Sequence, residues 1–273
     1  MELPPPLPPL PPLPPQQPQQ PQLPQPMPPP QPMRLAQLLF SQGFGTRREC
    51  AALIAAGEVA HAGQVLEDPD AELDPAGLVL SVHGRAWPVH LRALLVLHKP
   101  AGTECSQRPG RYPSVLGLLP APLRRRGVQP VGRLDADTTG LLLLTDDGAL
   151  LHRLTSPKQH VPKVYEVTLR HSFDERQRGR LLAGVVLADD PVPVRAAAAE
   201  ATGSHTLRLT LTAGRYHQVK RMLAAAGNRV EALHRSGFGA LALPSDLAPG
   251  QWRWIEPTQV LGRTPAAASA DGR

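Results

Sequence analysis

Hydrophobic positions recur with two different periods along this chain, and the change of period marks its parts. Leu35, Leu38 and Leu39 repeat at the spacing of one helical face, and Gly43 and Gly45 break the pattern. Thr46 followed by Glu49 forms a capping box, which predicts a second helix from about Arg47 to Ala56 with Cys50, Leu53, Ile54 and Gly57 on its apolar face. Val59-Ala60-His61-Ala62-Gly63-Gln64-Val65 then reads as a short hairpin turning at Ala62-Gly63. Ala93-Leu94-Leu95-Val96-Leu97-His98-Lys99-Pro100 is expected to be a buried strand that ends at a basic loop. The four-leucine run at 141–144, bounded by Gly140 and by Asp146-Asp147-Gly148, predicts a core strand followed by a helix through Leu150, Leu151 and Leu154. Lys163-Val164-Tyr165-Glu166-Val167-Thr168-Leu169 alternates as a strand does, with Lys163, Tyr165 and Val167 on one face. After Gly214 the period returns to that of a helix: Val219, Met222, Leu223 and Ala226 share one side, and His217, Lys220 and Arg221 the other.

Composition adds a second picture at the N-terminus. Residues 1–32 hold seventeen of the chain's 34 prolines and one charge, Glu2. Proline lacks the amide donor, and the segment has little apolar surface to offset chain entropy, so polyproline II or disorder is expected, as it is for a tail at 261–273. The sequence leaves two starts open, Met1 and Met33, the second lying directly before the first amphipathic turn. No apolar run approaches the roughly 20 residues that span a bilayer, and no stretch reads as a signal peptide, so a cytoplasmic protein without a membrane partner is expected. Cys50 and Cys105 form no pairing or metal-ligand pattern, which fits a reducing compartment and gives no metal site. The net charge of +6 permits a polyanionic partner without specifying one.

Candidate chemistry concentrates in three places. Val131-Gly132-Arg133-Leu134-Asp135-Ala136-Asp137-Thr138-Thr139-Gly140 sets Asp135 on a short loop braced by the leucine strand, the usual setting for a reactive group. Tyr165 stands on the alternating strand, and the cationic helix face carries Lys220. Elsewhere, Arg47 and Arg48 occupy the first turn of a helix, where the dipole disfavours cations, so an outside anion better explains them. The run Arg124-Arg125-Arg126 is expected to be a solvated basic surface, with a specific RNA role the less favoured alternative.

These motifs, in this order, resemble the RsuA-type pseudouridine synthases that act on ribosomal RNA. The Gly-Arg-Leu-Asp loop at 132–135, Lys-x-Tyr at 163–165, Gly-Arg-Tyr-His-Gln-Val-Lys-Arg-Met at 214–222 and Leu-His-Arg at 233–235 carry the likeness. The first unit resembles the small RNA-binding domain named after ribosomal protein S-four. The resemblance implies an α+β fold: an RNA-binding domain at 34–80, a linker at 81–92, and a catalytic domain at 93–260 with a large, mainly antiparallel sheet and a central cleft. It implies Asp135, Tyr165 and Lys220 as catalytic groups, with Lys220 salt-bridging Asp135. Arg133, Leu233, Lys163 and Arg221 would bind substrate, and Arg34, Arg47 and Arg48 would grip RNA phosphates. Arg133 would touch the RNA backbone or wedge where the base left, and Leu233 would pack against the base.

The implied reaction turns a uridine into pseudouridine without a redox cofactor, because nothing is oxidised, and no metal is expected, because Asp135 and Asp137 lack accompanying ligands at suitable spacing. The implied partner is ribosomal RNA or a small-subunit assembly intermediate, met by a monomer, and the motifs resemble the bacterial 16S enzymes more than the large-subunit ones. A 23S rRNA synthase and a non-catalytic RNA-binding assembly protein are the alternatives; the joint presence of Asp135, Tyr165 and Lys220 disfavours the second. A metal-dependent nuclease would need clustered ligands that the sequence lacks.

Overall fold

The computed structural model describes residues 31–188 and 190–262. The tails expected at 1–32 and 261–273 fall almost wholly outside those residues, although Leu261 proves to end the last described helix, and Met33 lies inside them, in the first strand.

The N-terminal unit is built from β1 (Met33–Arg34), α1 (Leu35–Gln42), α2 (Arg47–Ala55), β2 (Val59–His61), β3 (Gln64–Val65), β4 (Glu72–Leu73), β5 (Val79–Val82) and β6 (Arg85–Pro88). Helix α1 stops where Gly43 takes a left-handed φ of 86°, and both hydrogen bonds of the Thr46–Glu49 capping box are present at the start of α2. Leu35, Leu38, Leu39, Cys50 and Ile54 pack on Val59, Leu78, Leu80, Val82 and Val89 to form a separate small core. The sheet order is β3-β2-β5-β6. Both of its hairpins turn on two residues of positive φ, Ala62-Gly63 and His83-Gly84, the pairing that suits strand twist.

The second hairpin corrects the linker expected at 81–92. Val82 and Arg85 to Pro88 belong to the sheet, and Val89 closes the core, so the unit runs well past residue 80. The misreading has a local cause, since a His-Gly turn is a weaker hairpin signal than Asn-Gly.

The second unit contains β7 (Leu94–Lys99), α3 (Ala121–Arg125), β8 (Gln129–Pro130), β9 (Thr139–Thr145), α4 (Gly148–Thr155), β10 (Lys163–Leu169), α5 (Glu175–Ala183), β11 (Val185–Leu187), β12 (Asp190–Val194), β13 (Ala198–Gly203), β14 (Thr206–Leu211), α6 (Gln218–Ala225), β15 (Val230–Phe238), β16 (Leu241–Ala242), β17 (Trp252–Trp254) and α7 (Pro257–Leu261). Its main sheet runs β13-β14-β10-β15-β9-β7-β17. Every neighbouring pair is antiparallel except β9 and β15, which meet in parallel through His234–Thr139 and Arg235–Gly140. The leucine run is explained by burial on both sides: Leu142 and Leu144 enter one core, Leu141 and Leu143 the other. At the seam of the two halves, a Cβ on Gly140 would lie 2.3 Å from the carbonyl oxygen of Arg235, so only glycine permits this approach.

The two units are stapled together by side chains. The Arg126 guanidinium donates to Asp146 at 2.7–2.8 Å and to Oε1 of Gln42 at 2.9 Å, while Asp146 also accepts from the N–H of Ala93. Gln42 is fully buried and binds the backbone of His90. Arg125 donates to the carbonyl of Phe44. Two arginines of the run at 124–126 therefore hold the domains together, which corrects the reading of that run as a basic surface.

Candidate active site

The reactive loop between β8 and β9 is held from beneath by a fully buried cation. Nζ of Lys99 donates to the carbonyls of Pro100, Ala136 and Thr138 at 3.0, 3.3 and 2.9 Å, and burial pushes its ammonium below the ordinary lysine value. Those bonds, with the Gly102 N–H on Ala136 and the Thr138 N–H on the Asp135 carbonyl, fix the backbone that carries Asp135. The basic loop expected after β7 is thus an internal brace, and Lys99 never reaches the surface.

Helix α6 brings two side chains to the Asp135 carboxylate. Nζ of Lys220 lies 3.1 Å from Oδ2 and Nε2 of His217 lies 3.1 Å from Oδ1. The cationic face of α6 is therefore turned to the Asp135 loop, and its apolar stripe of Val219, Met222 and Leu223 is buried as the period required. Lys220 also donates to both oxygens of Asp137, at 2.7 and 2.9 Å. Burial works against the Lys220 ammonium, but the carboxylates of Asp137 and Asp135 outweigh it and hold the group above the ordinary lysine value. The same hydrogen bond from Lys220 holds Asp137 below the usual carboxylate range. Lys220 is thus a cation shared between two carboxyl groups.

Asp135 opens onto a pocket of about 210 Å³ over the β9–β15 seam, lined by Arg133, Lys163, Tyr165, Lys220, Leu233 and Arg235 among others. Tyr165 and Leu233 are nearly buried and supply apolar walls. Lys163 donates to the Val161 carbonyl at 2.9 Å and lies over the Phe238 ring. Burial, aided by the neighbouring Arg235 charge, lowers the Lys163 ammonium to about 8. Arg235 is 2 % exposed, donates from Nε to the Leu141 carbonyl, and its Nη2 has no hydrogen-bond partner among the described residues. Two half-satisfied cations in one pocket favour a ligand rich in acceptor oxygens. No group of three or more His, Cys, Asp or Glu side chains that could hold a metal ion occurs among the described residues.

Of the expected site residues, Asp135, Tyr165, Lys220, Arg133, Leu233 and Lys163 converge on this pocket. Arg221 does not line it, and its Nη1 donates instead to the Tyr216 carbonyl at 3.0 Å. Arg34, Arg47 and Arg48 lie on the exposed surface of the N-terminal unit; Arg34 pairs with Asp70, and Arg47 sits over the Phe40 ring. Sequence reasoning missed four contributors: Lys99, Arg235, the contact of His217 with Asp135 and the hold of Asp137 on Lys220. The left-handed backbone of His217, at φ 46°, is what turns its ring toward the loop, and no local pattern announces it.

Residues 93–225 match the RNA pseudouridylate synthase family and residues 33–79 match the S4 domain. An uncharacterised RNA pseudouridine synthase, YtzG, of Bacillus subtilis is 40% identical over 227 residues, which cover 81% of this chain and 94% of that protein. Ribosomal small subunit pseudouridine synthase A of Yersinia pestis is 38% identical over 221 residues, covering 81% of this chain and 94% of its own length. Among solved structures, a crystal structure of a pseudouridylate synthase matches with a TM-score of 0.59 and 32% identity, covering 84% of this chain and 98% of that one. The matched span takes in the Asp135 loop, the Tyr165 strand and the Lys220 helix together, and the chain belongs to the RNA pseudouridylate synthase family, as an RsuA-type enzyme with an S4 domain ahead of its catalytic domain.

Proposed function

We propose that this enzyme isomerises one uridine of bacterial small-subunit (16S) ribosomal RNA, acting as a cytoplasmic monomer on the RNA or on a small-subunit assembly intermediate. The observation that carries the reading is the Asp135 carboxylate set between Lys220 and His217 at the mouth of a pocket walled by Tyr165 and Leu233. The relative from Yersinia pestis supports the choice of subunit, since its name places its action on the small subunit. Described helices include none long and apolar enough to cross a membrane.

The reaction breaks the bond from ribose C1′ to base N1, turns the base, and joins C1′ to C5, with the C5 proton lost and a proton gained at N1. A uridine within folded RNA hides those atoms, so the base must first be flipped into the pocket. Asp135 then serves as an anion, either attacking C1′ or removing the C2′ proton on the way to a glycal. Lys220 keeps it charged in a water-poor site. The uracil plane lies between Tyr165 and Leu233, and the Tyr165 hydroxyl is placed to relay a proton. Arg235 and Lys163 donate to acceptor oxygens of the nucleotide, and Arg133 meets the RNA backbone at the rim.

Mapping pseudouridine in ribosomal RNA from cells with and without the gene tests this reading. The expected result is one 16S position that disappears and returns with the wild-type gene but not with Asp135→Asn. A lost 23S position would assign the enzyme to the large subunit. An unchanged map would leave an RNA-binding assembly role.

A further inference from the structure

A second groove lies on the far side of the reactive loop, of about 440 Å³ and bordered by Ser106, Arg133, Asp135, Gly214, Tyr216 and His217. It shares Arg133 and Asp135 with the pocket, so the two cavities meet at the Asp135 loop. Tyr216 is 66 % exposed, the most exposed large apolar side chain among the described residues. A large ring left in water keeps apolar area that a partner could cover with a gain in binding free energy. Its lower face is already supported, because the ring stacks on His217 with centroids 3.8 Å apart and planes within 19°. The backbone on either side is pinned as well: Arg221 donates to the Tyr216 carbonyl, and Arg215 is bound by Asp190 and the Val192 carbonyl. Arg133, at the edge of both cavities, is exposed and makes no hydrogen bond or ion pair with any described residue. Across the groove, the Glu104 carboxylate is occupied by the N–H groups of Gly110, Arg111 and Tyr112.

We propose that this groove is a nucleotide subsite, in which Tyr216 is the stacking platform for the base next to the target uridine and Arg133 receives the phosphate between them. This rests on the functional reading above and extends it to a second nucleotide. A braced ring held in place before binding loses little freedom when a base stacks on it, and every base has a face to offer. Stacked in this way, the neighbouring base stays over Tyr216 while the uridine turns into the pocket. His217 links the platform to Asp135, so the ring that receives the neighbour also touches the reacting carboxylate through one side chain.

The test uses full-length protein and an rRNA transcript that wild type modifies. Tyr216→Ala is expected to raise KM about tenfold with kcat nearly unchanged, Tyr216→Trp to behave as wild type, and Tyr216→Leu to resemble Tyr216→Ala. With 2-aminopurine placed beside the mapped uridine in an RNA fragment, on the 5′ or the 3′ side, wild type and Tyr216→Trp should quench its fluorescence and Tyr216→Ala should not. An unchanged KM in Tyr216→Ala overturns the platform, and so does rescue by leucine, which would show packing on His217 alone. A fall in kcat with quenching intact overturns it too. Wild-type protein inactive on both 16S and 23S transcripts would instead overturn the functional reading beneath it.

Discussion

The Lys220 ammonium approaches Asp137 at 2.7 Å and reaches Asp135 only at 3.1 Å, so the Asp135 carboxylate holds the weaker share of their common cation. Asp137 is the more exposed of the two carboxylates, and RNA arriving at the rim would cover it. Lys220→Met should lower kcat about 100-fold while RNA affinity changes only a few-fold, because one oriented charge is lost at the reacting centre. Asp137→Asn leaves Lys220 to Asp135 and should cost less than about tenfold. Comparable losses in the two variants, measured by tritium release from labelled RNA, would show that Asp137 is itself needed for turnover.

Gly140→Ala should destabilise the fold by about 2–4 kcal/mol in urea unfolding. The added Cβ would meet the Arg235 backbone at the point where the two halves of the sheet join. Gly77, also of positive φ but with open space around it, is the matched control, and its alanine variant should lose only about 1 kcal/mol. Equal losses at the two positions would mean that backbone conformation, rather than the close approach, decides the effect.

Lys163 gives a pH signature. Its folded-state value near 8 lies below the ordinary 10.5, so between those values the unfolded chain binds more protons and stability rises with pH. Lys163→Met should lack this rise. Thermal midpoints of both proteins across pH 7.5–10.5 provide the comparison, and parallel curves would show that the amine titrates normally.

Arg47→Ala with Arg48→Ala should lower the slope of log affinity against log salt by about two, one for each phosphate contact removed. Filter binding of an rRNA fragment over a salt series measures it. Identical slopes would leave these arginines as solvated surface, with Arg47 resting on Phe40.

Elements with a short-range signal were legible in the chain. The Thr46–Glu49 box, the Leu141 to Leu144 run and the alternation of Lys163, Tyr165 and Val167 each report an environment set within a few residues. Residues that work through distant partners were not legible. Lys99 reads as one more basic residue until three carbonyls of the reactive loop close around it. Arg126 reads as part of a cationic run until Gln42 and Asp146 arrive from other segments. The family motif supplied Asp135, Tyr165 and Lys220, but the motif is silent on Asp137 as a competitor for Lys220 and on His217 as a contact of Asp135.

The Arg126 staple turns two RNA-binding surfaces into a caliper. Linked sites reinforce each other only for a ligand whose two contact points match their separation. With Arg126, Gln42 and Asp146 locked in one buried cluster, the jaws of the caliper are set by the protein and not by the RNA. Were Arg47 and Arg48 to hold phosphates as proposed, a uridine would be chosen by its distance from them, and the identity of its neighbours would act only as a second filter.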